Sequence, residues 1–529
     1  MQVIDEQAQR VLRLFGHKDV QRVVPTAGAE QEYFLVSKEL FDKRPDLRFC
    51  SRTLLGAPAP KGQELEDHYF GALSPRVAAF MRDVDAELWK LGVFAKTEHK
   101  ETAPSQYELA CVYSDANAAT DNNQLVMESL RNIALKHGMV CLLHEKPFTG
   151  INGSGKHNNW SLSTDTGINL LEPGSSPKDN LQFLIFLAAT IKAVDTYQDL
   201  LRVSVAGAGN DQRLGGFEAP PAIISIYLGD TITELLGSIE RKEDYVEGAV
   251  RMLESGVCVV PSLPMDSTDR NRTSPFAFTG NKFEFRMPGA SHSIADVNTV
   301  LNTIVAESLR QFADKLEKAE DFRHEAFRIV RHVVRDHKRI IFSGNGYSTE
   351  WTDEALSRGL INLPTTADAL PSFIAPANIE LFTRYGIYNE RELHSRYEIQ
   401  LEIYVKVIHI EGVTLLEMSR RSILPAIIRY QKELAEAISV KRELMVDGSV
   451  EECMLDQICA GCIELHKACT DLAETLTLPE GDCHTAAMHC KDQIIPAMRR
   501  LRSAADGLED ASPSNVWPLP SYEELLFSL

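Results

Sequence analysis

Long apolar runs are missing from this chain of 529 residues. The longest, Leu181 to Ile191, is interrupted by Gln182 and is too short to span a bilayer. Residues 1–15 lack the apolar core of a secretory signal. Basic charge is scarce too: 55 lysines and arginines stand against 75 aspartates and glutamates, a formal net charge of -20. That deficit argues against a nucleic-acid footprint and against docking on an anionic membrane. Cysteine is sparse, at 10 residues, which excludes a disulfide framework and reads as reduced thiols in a cytoplasm. There is no internal repeat and no low-complexity tract. What remains is an ordinary globular composition, 44% hydrophobic and 25% charged, long enough for two to four domains. Small polar substrates held with divalent cations are compatible with the acidic balance.

The patterning predicts an α+β protein, with strands carrying the site and helices packed outside. A short helix over Glu6–Phe15 ends at Gly16. A β-rich region runs from about Val23 to Ser163, with strands at Glu32–Val36, Gln106–Val112 and Asn158–Leu162, and one helix at Asn122–His137 closed by Gly138. Helical periodicity begins at Pro177 and continues to about Val205. Strands return at Ala222–Leu228 and Lys282–Met287, followed by helices near Ser293–Lys318 and Asp321–His337. A boundary near residue 388 divides a first domain, 1–388, from an all-helical second, 389–529. The second has helices around 390–410, 415–440, 450–476 and 485–508.

Several short segments carry chemistry. Glu30 and Glu32 sit two apart on a strand, so their carboxylates share a face and repel unless a cation lies between them. Glu101 and Glu108 flank Pro104, which forbids a regular helix and leaves a loop that folds back. In Asn152-Gly-Ser-Gly-Lys-His157, glycine amides can approach a ligand closely and His157 offers an imidazole. Strict alternation at 283–286 buries Phe283 and Phe285 and turns Glu284 and Arg286 to the other face, with Arg272 upstream. Arg213 and Glu218 lie in a Gly-rich segment, 210–220, of the composition of a mobile flap. Each segment alone is more often a solvated face, a turn or a surface ion pair. Cys459, Cys462, His466 and Cys469 fall on one helical stripe. A zinc site is one reading, and the small buried residues of a helix face are the preferred one.

In order along the chain, these motifs read Glu-x-Glu, paired glutamates, Asn-Gly-Ser-Gly-x-His, Arg…Glu-Ala-Pro, Asn-Arg-Thr and Glu-x-Arg. That succession resembles the glutamine synthetase family, and the wording at 145–148 and 271–287 is similar to its bacterial type III branch. The resemblance covers about residues 20–380, and the helical tail also fits that branch. It implies a curved antiparallel sheet with outer helices, and the ATP-dependent joining of ammonia to glutamate through a γ-glutamyl phosphate. It also implies a cytoplasmic homo-oligomer of stacked hexameric rings.

Residue by residue, the resemblance implies that Glu32, Glu101 and Glu108 hold one metal and Glu30, His157 and Glu284 a second. Two or three such sites, five carboxylates and a histidine in all, suit Mg²⁺ or Mn²⁺. Asn152, Gly153, Arg213 and Arg286 match positions that hold glutamate. Arg272 matches an arginine facing the transferring phosphoryl group, and Glu218 the flap glutamate that takes a proton from ammonium. Two departures stand out. Arg213 and Glu218 are one residue closer than in the better-known bacterial form. The first metal motif also lies 30 residues from Met1, where family members carry a preceding β-grasp domain. The sequence therefore reads as lacking that domain. Two other functions fit the same residues: a γ-glutamyl ligase acting on another amine, and a truncated, inactive or regulatory homologue.

Overall fold

Residues 23–37 form one very long strand, β1 (Val23–Ser37), and the main sheet of the molecule is assembled around it. The computed structural model describes residues 1–217, 219–242, 252–253, 263–264 and 273–529. The further strands are β2 (Ala95–Lys100), β3 (Gln106–Cys111), β4 (Ser114–Asp115), β5 (Met139–Leu142), β6 (Lys156–Thr164), β7 (Ile226–Tyr227), β8 (Met252–Leu253), β9 (Leu263–Pro264), β10 (Phe276–Phe278) and β11 (Phe283–Phe285). The main sheet runs β2-β3-β1-β6-β11-β10-β7, with β4 and β5 also paired to β1. It is antiparallel except for the parallel pair β7–β10. β8 and β9 pair separately.

Register decides what faces where. Glu30 lies opposite His157, Glu32 opposite Glu108, and Glu284 opposite Asn159. Because side chains alternate across a strand, these groups share one face. On the other face Tyr33, Leu35, Tyr107 and Leu109 pack against the helices Pro75–Lys90 and Ala116–Lys136. Phe283 and Phe285 bury against β10, with Phe276 stacked on Phe283 at 4.7 Å. Behind them lies the apolar run noted in the sequence. It forms the helix Leu181–Thr196, buried almost throughout and capped by Asn180, whose Oδ1 accepts the Phe183 N–H at 3.0 Å. Among the described residues no helix is long and apolar enough to cross a membrane.

The structure departs from the sequence reading in three places. The region 23–163 is less β-rich than predicted: Lys38–Asp42, Pro45–Cys50 and Pro75–Lys90 are helices. The last has a Ser74 N-cap and Pro75 in its first turn, a start signal that the strand-rich neighbourhood obscured. The strand predicted at 222–228 shortens to Ile226–Tyr227. The helices predicted at 390–410 and 415–440 are continuous, Glu390–Met418 leading through a π turn at Ser419–Ile423 into Leu424–Glu443. The same arrangement recurs at Cys483–His489, Cys490–Ile494 and Ile495–Asp510. In both, proline (Pro425, Pro496) follows directly. Proline lacks an N–H and crowds the carbonyl four residues back, so one extra residue per turn lets the helix pass it unbroken.

The helical tail is joined to the sheet by buried polar contacts. Arg52 meets Glu411 at 3.1 Å, and Arg44 meets both Asp46 at 2.6 Å and the Pro520 carbonyl at 2.9 Å. The closing helix Tyr522–Phe527 returns to the sheet, placing Tyr522, Leu525 and Leu526 in one cluster with Phe34, Val36 and Phe148.

Candidate active site

β1 and β6 run side by side, and their register alone brings Glu30 against His157. His157 Nδ1 is 3.2 Å from Glu30 Oε2 and 3.0 Å from Glu284 Oε1, while its Nε2 is 3.8 Å from Glu32 Oε1. Glu30, His157 and Glu284 form a group whose ligand atoms lie within 4.8 Å of one another. Burial alone would lower the His157 pKa. Hydrogen bonds to Glu284 and Glu30 outweigh it and hold the imidazolium well above the usual range. Burial likewise opposes ionisation of Glu284, but His157 and Arg286 overcome it and hold the carboxyl well below the usual range.

A second group is built on the β2–β3 hairpin. His99 Nε2 lies 3.2 Å from Glu108 Oε1, and His99 Nδ1 lies 3.9 Å from Glu101 Oε1. These three also lie within 4.8 Å of one another. The hydrogen bond to Glu108, against burial, raises the His99 pKa to about 9. Glu32 stands between the groups, across the strand pair from Glu108 and bonded through Oε2 to the Gly155 N–H at 2.7 Å. Burial raises its pKa, opposed by His157 and Arg213. Oxygen-rich sets with one imidazole each fit hard divalent cations.

The Gly-rich loop lies beside these groups. Asn152 is clasped by Gln63, which accepts the Asn152 N–H at 2.7 Å and donates to its Oδ1 at 2.9 Å. The Gly153 carbonyl accepts from Gln106 Nε2 at 2.9 Å. A Cβ at Gly155 would meet the Arg213 guanidinium, so glycine here lets that side chain lie against the loop. Lys146 donates to the Ile151 carbonyl. Its ammonium lies 4.3 Å from the Phe217 ring centre, and burial lowers its pKa to about 8.

The sequence-predicted residues fall into four sets. Glu30, Glu32, Glu101, Glu108, His157 and Glu284 share the site face, and Arg286 joins them through Nε, 2.9 Å from Glu284 Oε1. Asn152 and Gly153 form the adjoining loop. Arg213 is placed differently from its sequence reading. It closes the helix Ala208–Arg213 rather than riding a flap, and its buried guanidinium donates to the carbonyls of Arg286, Met287 and Pro288 at 3.1–3.3 Å. It buttresses the end of β11 from below. Glu218 and Arg272 lie outside the described residues. Sequence reasoning missed His99, Gln63 and Lys146. His99 was legible in principle, since a hairpin between residues 100 and 106 sets it opposite Glu108. Gln63 carried no signal, because it reaches the site across 89 residues of chain.

Comparisons bear on this geometry. Residues 6–206 match the family model for the glutamine synthetase catalytic domain, and residues 325–442 that for the glutamine synthetase C-terminal domain. A glutamine synthetase of Butyrivibrio fibrisolvens is 46% identical, over 100% of this chain and 76% of its own. A type-3 glutamine synthetase of Dictyostelium discoideum is 45% identical over 97% and 71%. A glutamine synthetase of Bacteroides fragilis is 41% identical over 99% and 74%.

Proposed function

This chain belongs to the glutamine synthetase family and is a ligase of glutamine synthesis, and from that premise we propose that it joins ammonia to the γ-carboxylate of glutamate using ATP. The observation that carries the reading is the convergence of six carboxylate and imidazole side chains from β1, the β2–β3 hairpin, β6 and β11. The γ-carboxylate of glutamate attacks the terminal phosphorus of ATP, giving an acyl phosphate and ADP. The nitrogen of ammonia then attacks the acyl carbon, and phosphate leaves.

Glu30, His157 and Glu284 would hold one Mg²⁺ or Mn²⁺, and Glu32, Glu101 and Glu108 another, with His99 beside it. When bound, such cations offset negative charge on the ATP phosphates during transfer. Arg286 pairs with the substrate carboxylate through its planar fork, and Asn152 and Gly153 orient the substrate from the loop. Arg213 keeps Arg286 and Gly155 in register by fixing the backbone beneath them. Arg272, by its place in the Asn-Arg-Thr motif, would offset charge on the transferring phosphoryl group. Glu218, by its place in the Glu-Ala-Pro motif, would take the proton from ammonium.

The test is a coupled assay on the purified chain with Mg²⁺ or Mn²⁺. ATP consumption should require glutamate, and glutamine should appear only when ammonia is added. Polyamines or cysteine outcompeting ammonia would instead mark a γ-glutamyl ligase of different acceptor. Glu218→Ala should slow amide formation by ~10²–10⁴-fold, the loss expected for a positioned proton acceptor, while leaving ATP binding intact. Unchanged turnover would remove Glu218 from the mechanism.

A further inference from the structure

Away from the metal-binding face, a cavity of about 510 Å³ lies between β5 and the helix Glu390–Met418. That volume is in the range of about 300–1,000 Å³ typical of small-molecule sites. Gln400, Ile403, Tyr404, Val407 and Glu411 recur every three or four residues and present one helix face to it. Phe41, Phe49 and Val140 supply apolar wall opposite.

The polar groups on this wall are unevenly satisfied. Its carboxylates already have partners: Glu145 accepts from Ser291 N at 3.0 Å and Ser291 Oγ at 2.6 Å, and Glu411 pairs with Arg52. Tyr404 is only 2% exposed, and its hydroxyl has no hydrogen-bond partner; neither does Gln400 Oε1. His144 Nδ1 accepts the Lys146 N–H at 2.9 Å, so the ring hydrogen sits on Nε2 and is available as a donor. Burial lowers the His144 pKa to about 4, which keeps the ring neutral. Arg131 lines the same space with no carboxylate partner among the described residues. A buried polar group left unmade is expensive, and a binding pocket is one setting in which such groups persist.

We propose that this cavity binds a small amphipathic carboxylic acid, with an aromatic or branched apolar body, a carboxylate directed to Arg131 and His144, and a hydroxyl or amine directed to Gln400 and Tyr404. The unpaired groups decide the class: the free cation and the free imidazole donor call for an anion, and the free amide oxygen calls for a donor. The cavity also touches the Gly-rich loop, through Glu145 and through His292, whose carbonyl accepts from Lys156 Nζ. Glu145 supplies the cavity with its carboxylate, while its carbonyl accepts the Ser154 N–H at 2.8 Å.

The experiment is calorimetric titration of the whole chain with 3-phenyllactate and with its uncharged methyl ester, without ATP or glutamate, so that the outcome is independent of ligase activity. Phenyllactate should bind, and the ester should bind at least about tenfold more weakly. Arg131→Ala, an exposed position, should remove that difference by weakening the acid alone. Val407→Trp should fill the cavity and abolish binding of both, with a melting curve confirming that the variant folds. If it does not fold, Arg131→Ala decides. No binding at millimolar phenyllactate, undiminished binding in Arg131→Ala, or unchanged binding in folded Val407→Trp each overturns the proposal.

Discussion

His157 shows how much one residue can determine. Its two nitrogens address three carboxylates, so it either keeps its proton or gives it up to a cation that takes the same oxygens. Glu284→Ala removes a carboxylate from that set and also removes the bond to Arg286 Nε. Divalent-cation affinity should therefore fall by more than the ~10–100-fold that loss of an outer-shell partner costs, and glutamate KM should rise in parallel. Mn²⁺ titration followed by electron paramagnetic resonance measures the first effect, and wild-type affinity in this variant would remove Glu284 from the set. His99→Ala should weaken cation binding at the other group, where the imidazole sits between Glu101 and Glu108.

At the scale of elements, the helix Ile495–Asp510 grips the loop at residues 56–57 through three side chains. Asp506 Oδ1 accepts the Gly56 N–H at 2.8 Å, Glu509 Oε2 accepts the Ala57 N–H at 3.0 Å, and Arg502 donates to the Gly56 carbonyl at 3.0 Å. Burial raises the Glu509 pKa to about 7 against an ordinary value of 4.5, despite the Ala57 hydrogen bond. A raised folded-state pKa means that its stabilising contribution is complete below about 4.5 and is lost as pH rises through about 7. Glu509→Gln keeps an acceptor for Ala57 and cannot ionise. Melting temperatures from pH 5 to pH 8 should fall less steeply in the variant than in the parent, and parallel profiles would refute the assignment. The closing helix gives a second handle. Tyr522 Oη bonds Thr53 Oγ1 at 2.7 Å, Thr149 N at 3.1 Å and Arg502 at 3.0 Å. Tyr522→Phe removes all three bonds and takes from the Thr149 N–H its acceptor, which should cost about 1–3 kcal/mol, read from denaturant unfolding.

The whole molecule carries a formal charge of -20, and Glu30, Glu32, Glu108 and Glu284 share one sheet face. Anything that binds the folded state alone stabilises it, by about 2.7 kcal/mol at one hundred times Kd. Adding Mn²⁺ to chelator-treated protein should therefore raise the melting temperature in a saturable way, and a Glu30→Ala, Glu284→Ala double variant should lose most of that rise. Cation binding must also displace the proton that His157 holds, so apparent affinity should increase as pH rises. Titrations in buffers of different ionisation enthalpy should detect the released proton, and a proton count of zero would contradict the exchange.

The sequence alone determined the face on which the chemistry sits. Period-two alternation at Glu30 and Glu32, and again at Glu284 and Arg286, needs no tertiary information, since neighbours on a strand must point opposite ways. The helix end at Gly138, with φ +66°, carries an equally local signature, whereas the Asn180 cap is a finding of the structure. What only the tertiary structure decided is which strands lie together. Glu30 meets His157 across 127 positions of chain because β1 pairs β6, and no local preference encodes that choice. The pairing of Gln63 with Asn152, the burial of Arg213 beneath Gly155 and the return of Tyr522 to the sheet are of the same kind. They arise from packing between segments distant in sequence, where the free energy depends on partners a linear reading does not contain. The helix Glu390–Met418 marks the division: its apolar period was visible in the chain, but the cavity that Tyr404 and Gln400 face exists only once β5 and the start of the helix Ala208–Arg213 are set against it.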